Sequence, residues 1–532
     1  MRYVSSAELL KIEGSQPMTL ASLRSTACAA ALALGCAAPG FVPEAAATTT
    51  LVRQDAGAAL EALGLEGNPQ VSWDTIDQSG AGYRITGFRQ ETEVGVLTAE
   101  TLMFENLRME PDGAMFDTFE MRGGSMNSPE IGGTFSYDRV FISGPSRALI
   151  DAMAESYAGE AEIEPFSMDV VEQVAQEVVL EGLHMVVPAD AEAETPEMRF
   201  GIDRLFASNP DLDEYADMGM TGFALNTGAM ADSPAVEVRL ARAEGTGILV
   251  ASLLNGLDPE SFDPDLTFTK TMDRFELAGF LIKAGGVRIA MPTLTASMEE
   301  LAGGALRTAT VMPSLSLDID PTADEMSAQA AGGLAMLGYE RLDLSFEGAN
   351  IYDPAEDRIY TDGPNPLTLA DGGTFDLQYD MTGLTAYMQA IMEFQAETIA
   401  SAEAGEELLV EDDFMVDIIS GLILNGMSFR FEDAGLLERG LTLFAAQSGV
   451  DVATARAQAV GMVALASMGA GEALPPAIVA QMSQALTGFI QNGGTIAVAM
   501  QPETPVSFME LATEEGGFNA EAAGLSFAHT AP

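Results

Sequence analysis

The sequence predicts an α+β fold, with curved antiparallel β-sheets, helices packed on their apolar faces, and a C-terminal part richer in helix. Three observations predict it. Apolar and polar residues alternate strictly in many short segments. Short helical runs follow several of those segments. Three helix starts crowd into residues 436–492.

The alternation is clearest at Phe375, Leu377, Tyr379 and Met381, which interleave with Thr374, Asp376, Gln378 and Asp380. Leu342, Leu344 and Phe346 interleave with Arg341, Asp343, Ser345 and Glu347. The pattern recurs at Leu315, Leu317 and Ile319; at Val236, Val238 and Leu240; at Met427, Phe429 and Phe431; and at Ile496, Val498 and Met500. A strand sends successive side chains to opposite faces, so each segment predicts one dry face and one wet face. Parallel strands are buried on both faces and read as continuous apolar runs, so this pattern favours antiparallel sheet.

Helical runs come next. Gly132-Gly133-Thr134-Phe135 opens a strand that leads to a predicted helix over 146–157. Gly372-Gly373-Thr374-Phe375 opens another, followed by a predicted helix over 385–397. A third unit runs from a strand at 427–432 into a helix at 436–447. The shared opening suggests related modules in the two halves. Asp451 can N-cap a further helix through about 467, because its carboxylate can accept from free N–H groups of the first turn. Pro475-Pro476 starts another, which ends at Asn492-Gly493-Gly494 and leads into a strand at 495–500. A helix is also expected within 323–338, and Gly245-Thr246-Gly247 reads as a turn before a helix near 248–254.

The division expected from these patterns has four parts: a signal peptide at 1–47, an N-terminal α+β domain at 48–190, a middle α+β domain at 191–335, and a C-terminal α+β domain at 336–532. The acidic, proline-flanked stretch 188–196 is the expected linker, and the acid-rich stretch 401–413 reads as a solvated helix end or loop.

The leader carries Arg24, an uncharged small and apolar run over 26–38, and Ala45-Ala46-Ala47 as a small-x-small cleavage site. It predicts a periplasmic or secreted protein. Leu34-Gly35-Cys36 has part of a lipobox, so lipid anchoring at Cys36 is the alternative route. Both cysteines, Cys28 and Cys36, fall inside the leader, and no disulfide would hold the exported chain together. No later segment has the uninterrupted apolar length of a transmembrane helix; residues 461–490 are broken by Glu472, Pro475 and Pro476.

The chain carries 80 acidic and 24 basic residues, for a net charge of −56. After residue 47, only Lys270 and Lys283 remain as lysines. Such a surface repels nucleic acid and anionic head groups at long range, so no nucleic-acid partner is expected. An apolar fraction of 47% is ample for packed cores.

Catalytic signals are sparse. No Gly-x-Ser-x-Gly elbow occurs. The two histidines are His184, expected on the solvent side of a strand, and His529, close to the C-terminus where chains commonly fray. Zinc, haem and iron–sulfur sites need ligands that the exported chain would not have. Calcium needs only oxygen ligands. Its candidate clusters are Asp211, Asp213, Glu214 and Asp217; Asp258, Glu260, Asp263 and Asp265; and Asp353, Glu356, Asp357 and Asp362. None has EF-hand or β-roll spacing. Carboxylate pairs for glycoside hydrolysis carry no information in so acidic a chain. No catalytic, cofactor or metal residue is therefore assigned, and no cofactor is expected. Of the 30 methionines, all but Met1 and Met18 follow residue 47. A flexible thioether side chain adapts to varied apolar shapes, so a Met- and Phe-lined dry face could cradle acyl chains or simply fill a core.

Leu337 to Phe346, Tyr352 to Tyr360 and Gly373 to Leu377 resemble hairpins in uncharacterised exported proteins of Gram-negative bacteria, and Phe431 to Arg439 and Pro502 to Val506 share that style. Residues 98–109, with Leu102, Phe104 and Leu107, are similar to strands of AsmA-like envelope proteins. These resemblances imply an envelope location and carry over no functional residue. The expected function is non-enzymatic: an exported envelope protein that binds an apolar, lipid-like ligand or another envelope protein. The alternatives are a structural or interaction protein with filled apolar cores, and a calcium-type hydrolase.

Overall fold

The computed structural model describes residues 55–532, except 80, 93–94, 129–132, 159–174, 190–195, 209–214, 230–233, 251–267, 393, 395–420, 472–473 and 512–517. The expected signal peptide at 1–47 and the acid-rich stretch 401–413 lie outside the described residues. The fold is α+β, built on antiparallel sheet, and its C-terminal part carries the longest helices. The chain forms two compact units: residues 1–187 with 206–212, and residues 188–205 with 213–532.

The first unit begins with helix α1 (Asp55–Ala62), followed by strands β1 (Val71–Ser72), β2 (Thr75–Ser79), β3 (Gly82–Thr92), β4 (Gly95–Glu105), β5 (Arg108–Glu110), β6 (Gly113–Met115), β7 (Thr118–Ser128) and β8 (Gly133–Ser143). Helix α2 (Arg147–Ala158) and strand β9 (Glu177–Val187) complete it. Strands β3, β4, β7, β8 and β9 pair antiparallel in that order, with β1 and β2 side by side on β3. The β5–β6 hairpin stands apart and packs against α1. The core is aromatic. Phe104 lies 5.4 Å from Phe116 and 5.1 Å from Phe119, ring centre to ring centre, and all three are fully buried. Buried Gln90 donates from Nε2 to the Ser156 carbonyl at 2.8 Å, and Asn68 Nδ2 donates to the Tyr157 carbonyl at 2.6 Å. The last carbonyls of α2, which have no partner within the helix, are thus satisfied from the sheet side.

The second unit is a long antiparallel meander. Strand β10 (Met198–Ser208) belongs to it as far as Leu205. Strands β11 (Tyr215–Thr227), β12 (Val236–Leu249), β13 (Arg274–Ala284), β14 (Val287–Glu300), β15 (Leu306–Ile319) and β16 (Arg341–Asp353) follow, each paired with the next. Helix α3 (Glu325–Met336) sits between β15 and β16, N-capped by Asp324, whose Oδ1 accepts from Ser327 N at 2.6 Å. Strands β17 (Arg358–Thr361) and β18 (Pro366–Leu369) both bridge β16 to β19 (Gly373–Thr382). Residues 384–392 are helical. Strand β20 (Ile423–Asp433) then pairs with β19. Three helices follow: α4 (Leu436–Ser448), α5 (Val452–Ala470) and α6 (Pro476–Asn492). Strands β21 (Thr495–Met500), β22 (Val506–Ser507) and β23 (Leu525–Thr530) close the sheet, with the short helix α7 (Phe508–Leu511) between the last two.

The helix starts follow the sequence signals. Asp451 Oδ1 accepts from Thr454 N at 2.8 Å and caps α5. Pro476 is the first residue of α6. The turn expected at 245–247 is not one, and the helix expected near 248–254 lies, beyond Val250, outside the described residues. Gly245 and Gly247 lie inside β12, which continues to Leu249. Gly247 adopts φ +56, and its N–H donates to Asp217 Oδ1 at 3.0 Å, so the pair distorts a strand rather than ending one.

Both units share a crease. Mid-strand glycines adopt φ near +60 on β3, β7 and β9 (Gly87, Gly123, Gly182) and on β11 and β13 (Gly222, Gly279). A glycine without a Cβ reaches this region at no steric cost. The pairing register runs unbroken past each of them, yet the dry side chains change parity there. On β9, Val178 and Leu180 are buried before Gly182, and Leu183 and Met185 after it. The strand between two creased ones makes the matching shift. On β8 Tyr137 and Ile142 are buried on either side of exposed Asp138. A Cβ at Gly123 would stand 2.6 Å from Glu100 Cγ; at Gly182 and Gly222 it would overlap the carboxylates of Asp138 and Asp203, and at Gly279 the Ala241 methyl. One dry face therefore continues through each crease.

Candidate functional site

The sheet of the second unit presents one extended dry face. Leu225, Val238, Ile282, Ile289, Leu317 and Leu342 stand directly opposite one another across six strands. All six are half-buried. The other face carries the complementary row Asn226, Glu237, Lys283, Arg288, Asp318 and Arg341. There Lys283 pairs with Glu237 at 3.0 Å and Arg288 with Asp318 at 2.9 Å. The two rows are neighbours in sequence, so the strict alternation read from the chain becomes one apolar and one ionic surface.

The dry face extends to the C-terminal strands. Phe346, Leu367, Phe375, Phe431, Ile496 and His529 form one cross-strand row. Leu377, Phe429, Val498 and Phe527 form the next. Helix α6 packs on β21 and β23. Its Phe489 meets Phe431 edge-on at 5.8 Å, and Phe431 is only 8% exposed. One row away, Leu377 is 44% exposed and Phe429 39%. The helix thus covers one side of the aromatic strip and leaves the next row as an open apolar shoulder.

The polar groups nearby are mutually satisfied. Arg358 holds Asp380 through two bonds of 2.8 and 2.7 Å, and Asn425 Nδ2 donates to the same carboxylate at 2.9 Å. The Arg358 hydrogen bond holds Asp380 below its ordinary carboxylate range. Asp357 accepts from Thr385 N at 3.1 Å, Thr385 Oγ1 at 2.7 Å and Tyr352 Oη at 3.2 Å. This ties the β16–β17 turn to the helix that follows β19.

The residues weighed from the sequence do not converge. His184 lies exposed on β9, opposite Ser136. His529 is not frayed, contrary to the expectation for a chain end. It pairs with Ile496 in β23, and its Nε2 lies 2.8 Å from the Gly493 carbonyl. Asp353 accepts from Ala355 N, Glu356 pairs with Arg358, and Asp362 with Arg307, so each member of that cluster has its own partner. No group of three or more metal-binding side chains gathers among the described residues. Asp211, Asp213, Glu214, Asp258, Glu260, Asp263 and Asp265 lie outside them.

Reading the sequence missed the creases. The signal was available as a spacing in which apolar residues precede a glycine by four and two, then follow it by one and three. Phe275, Leu277, Gly279, Phe280 and Ile282 show it, as do Met218, Met220, Gly222, Phe223 and Leu225. It was also available as a repeat: Phe135, Asp138, Arg139, Phe141 and Ser143 of β8 recur at the same spacing as Phe200, Asp203, Arg204, Phe206 and Ser208 of β10.

A family described as "Uncharacterized protein" matches residues 366–526, the stretch that carries the open shoulder and the three-helix layer. No curated protein and no solved structure matches the chain. Among the described residues, no helix is long and apolar enough to cross a membrane.

Proposed function

We propose that this is an exported, non-enzymatic protein of the cell envelope that binds an apolar, lipid-like ligand on the dry face of its second unit. The observation that carries the reading is the exposed row of Leu377 and Phe429 beside the covered row of Phe375 and Phe431. Removing apolar surface from water gains roughly 25 cal/mol per Å², so an acyl chain laid along this shoulder would be retained. The leader at 1–47 supports export.

A second reading has its own support. The contact of Phe431 with Phe489 shows how α6 fills part of the face, as it would in a structural or interaction protein.

The test is mass spectrometry of the intact protein, gently extracted from its native envelope, together with uptake of a fluorescent fatty acid. The expected result is bound lipid and saturable uptake, weakened by Leu377→Asp or Phe429→Asp. A bare polypeptide that takes up no probe would leave the interaction protein as the better account.

A further inference from the structure

Helix α5 is largely apolar, with exposed polar residues Thr454 and Gln458 only in its first half, and one side of its second half faces water. Met462, Leu465 and Met468 are 51%, 70% and 77% exposed, and their spacing of three residues places them along one side of the helix. Ala457, Gly461 and Gly469 beside them are exposed as well. The opposite side packs on α4 and α6, with Ala455 fully buried. A surface helix ordinarily shows polar residues to solvent, so this outward side is matched to a non-aqueous neighbour.

Charge narrows what that neighbour is. Residues 452–502 contain one carboxylate, Glu472, and one cation, Arg456, in a chain with 80 acidic residues. Arg456 is already engaged by Glu438 and the Ile490 carbonyl. The exposed stripe therefore offers apolar contact with no charge of its own, while most of the remaining surface is strongly negative. A second copy would bring two chains of net charge −56 together through a stripe of three large side chains. A stable interface buries about 800 Å² per partner, more than three such side chains provide. Insertion into a fluid lipid surface gains in proportion to the apolar area buried, with no minimum complementary interface, and a zwitterionic surface carries no opposing charge.

We propose that α5 docks on a lipid bilayer of zwitterionic head groups, with Met462, Leu465 and Met468 dipping into the interface. The stripe lies on a different element from the open shoulder of the sheet, so this docking stands apart from ligand binding there. The acidic remainder of the protein is repelled by anionic lipid, which reverses the usual preference of peripheral proteins for anionic membranes.

The experiment is flotation of the full chain with phosphatidylcholine vesicles and with vesicles containing phosphatidylglycerol, at low and at moderate salt. The wild type should float with phosphatidylcholine, and less with phosphatidylglycerol until salt is added. Leu465→Glu with Met468→Glu should cut flotation by about tenfold or more. Met326→Glu, at an exposed methionine of α3, should leave it unchanged, and fatty-acid uptake should stay at the wild-type level in both variants. Equal flotation of the double variant would overturn the proposal, as would a wild type that floats with neither vesicle. A concentration-dependent dimer without lipid, lost in the double variant, would assign the stripe to a second copy instead.

Discussion

The Asp138 carboxylate on β8 lies where a side chain on Gly182 of β9 would have to stand. Glu100 stands in the same relation to Gly123, and Asp203 to Gly222. An exposed acidic residue on one strand thus covers the left-handed glycine of a later one, and this pairing recurs in both units.

Gly182→Ala should destabilise the protein by about 2 kcal/mol or more, since it adds a steric overlap to an unfavourable φ of +65. In an Asp138→Ala background the carboxylate overlap is gone and only the residue 138 Cβ, at 2.8 Å, still crowds the new methyl, so the cost should fall toward the roughly 1 kcal/mol due to backbone conformation. Gly461→Ala, in a helix with nothing near the new methyl, should instead stabilise by up to about 1 kcal/mol. Denaturant melts of wild type, the three single variants and the double variant check the contrast.

Leu344→Asp should destabilise far more than Asp343→Ala. Leu344 faces Leu315 and Leu369 on the dry side, where a charge finds no partner. Asp343 pairs with Arg341 at 2.8 Å on the wet side, and losing so exposed a pair should cost about 0.5 kcal/mol or less. Equal shifts in a melt would mean that the two faces are wrongly assigned.

Stability should fall in acid, and Asp380 should contribute to the fall. Its folded pKa is depressed by Arg358, so its contribution is complete above the unfolded value of about 3.9 and is lost as pH drops through the folded one. Asp380→Asn should therefore be less stable than wild type at pH 7. The gap should narrow as pH falls below about 4, as read from denaturant midpoints along a pH series.

Added monovalent salt should raise the melting temperature over the first few hundred millimolar. After residue 47 the chain carries 77 acidic and 21 basic residues (80 and 24, less three each in residues 1–47), and their repulsion is screened as the Debye length shortens. Salt also weakens ladders such as Glu237–Lys283, but such half-exposed pairs are individually small terms. A melting temperature that is flat or falls with sodium chloride would show that the ladders outweigh the net repulsion.

The sequence by itself determined the alternating strands, their dry and wet faces, and the helix starts at Asp451 and Pro476. These are local matters, because a period of two, a carboxylate one residue ahead of a helix, and a proline in its first turn act within a few residues. Only the tertiary structure decided which strands stand side by side. The row from Leu225 to Leu342 joins residues more than a hundred positions apart, and no local signal links them. The same holds for coverage. Phe429 and Phe431 are alike in type and alternation, yet one is open and the other lies beneath Phe489 of a helix that begins 45 residues later. Local pattern says which way a side chain points, and only the packing of distant elements says whether anything is there to meet it.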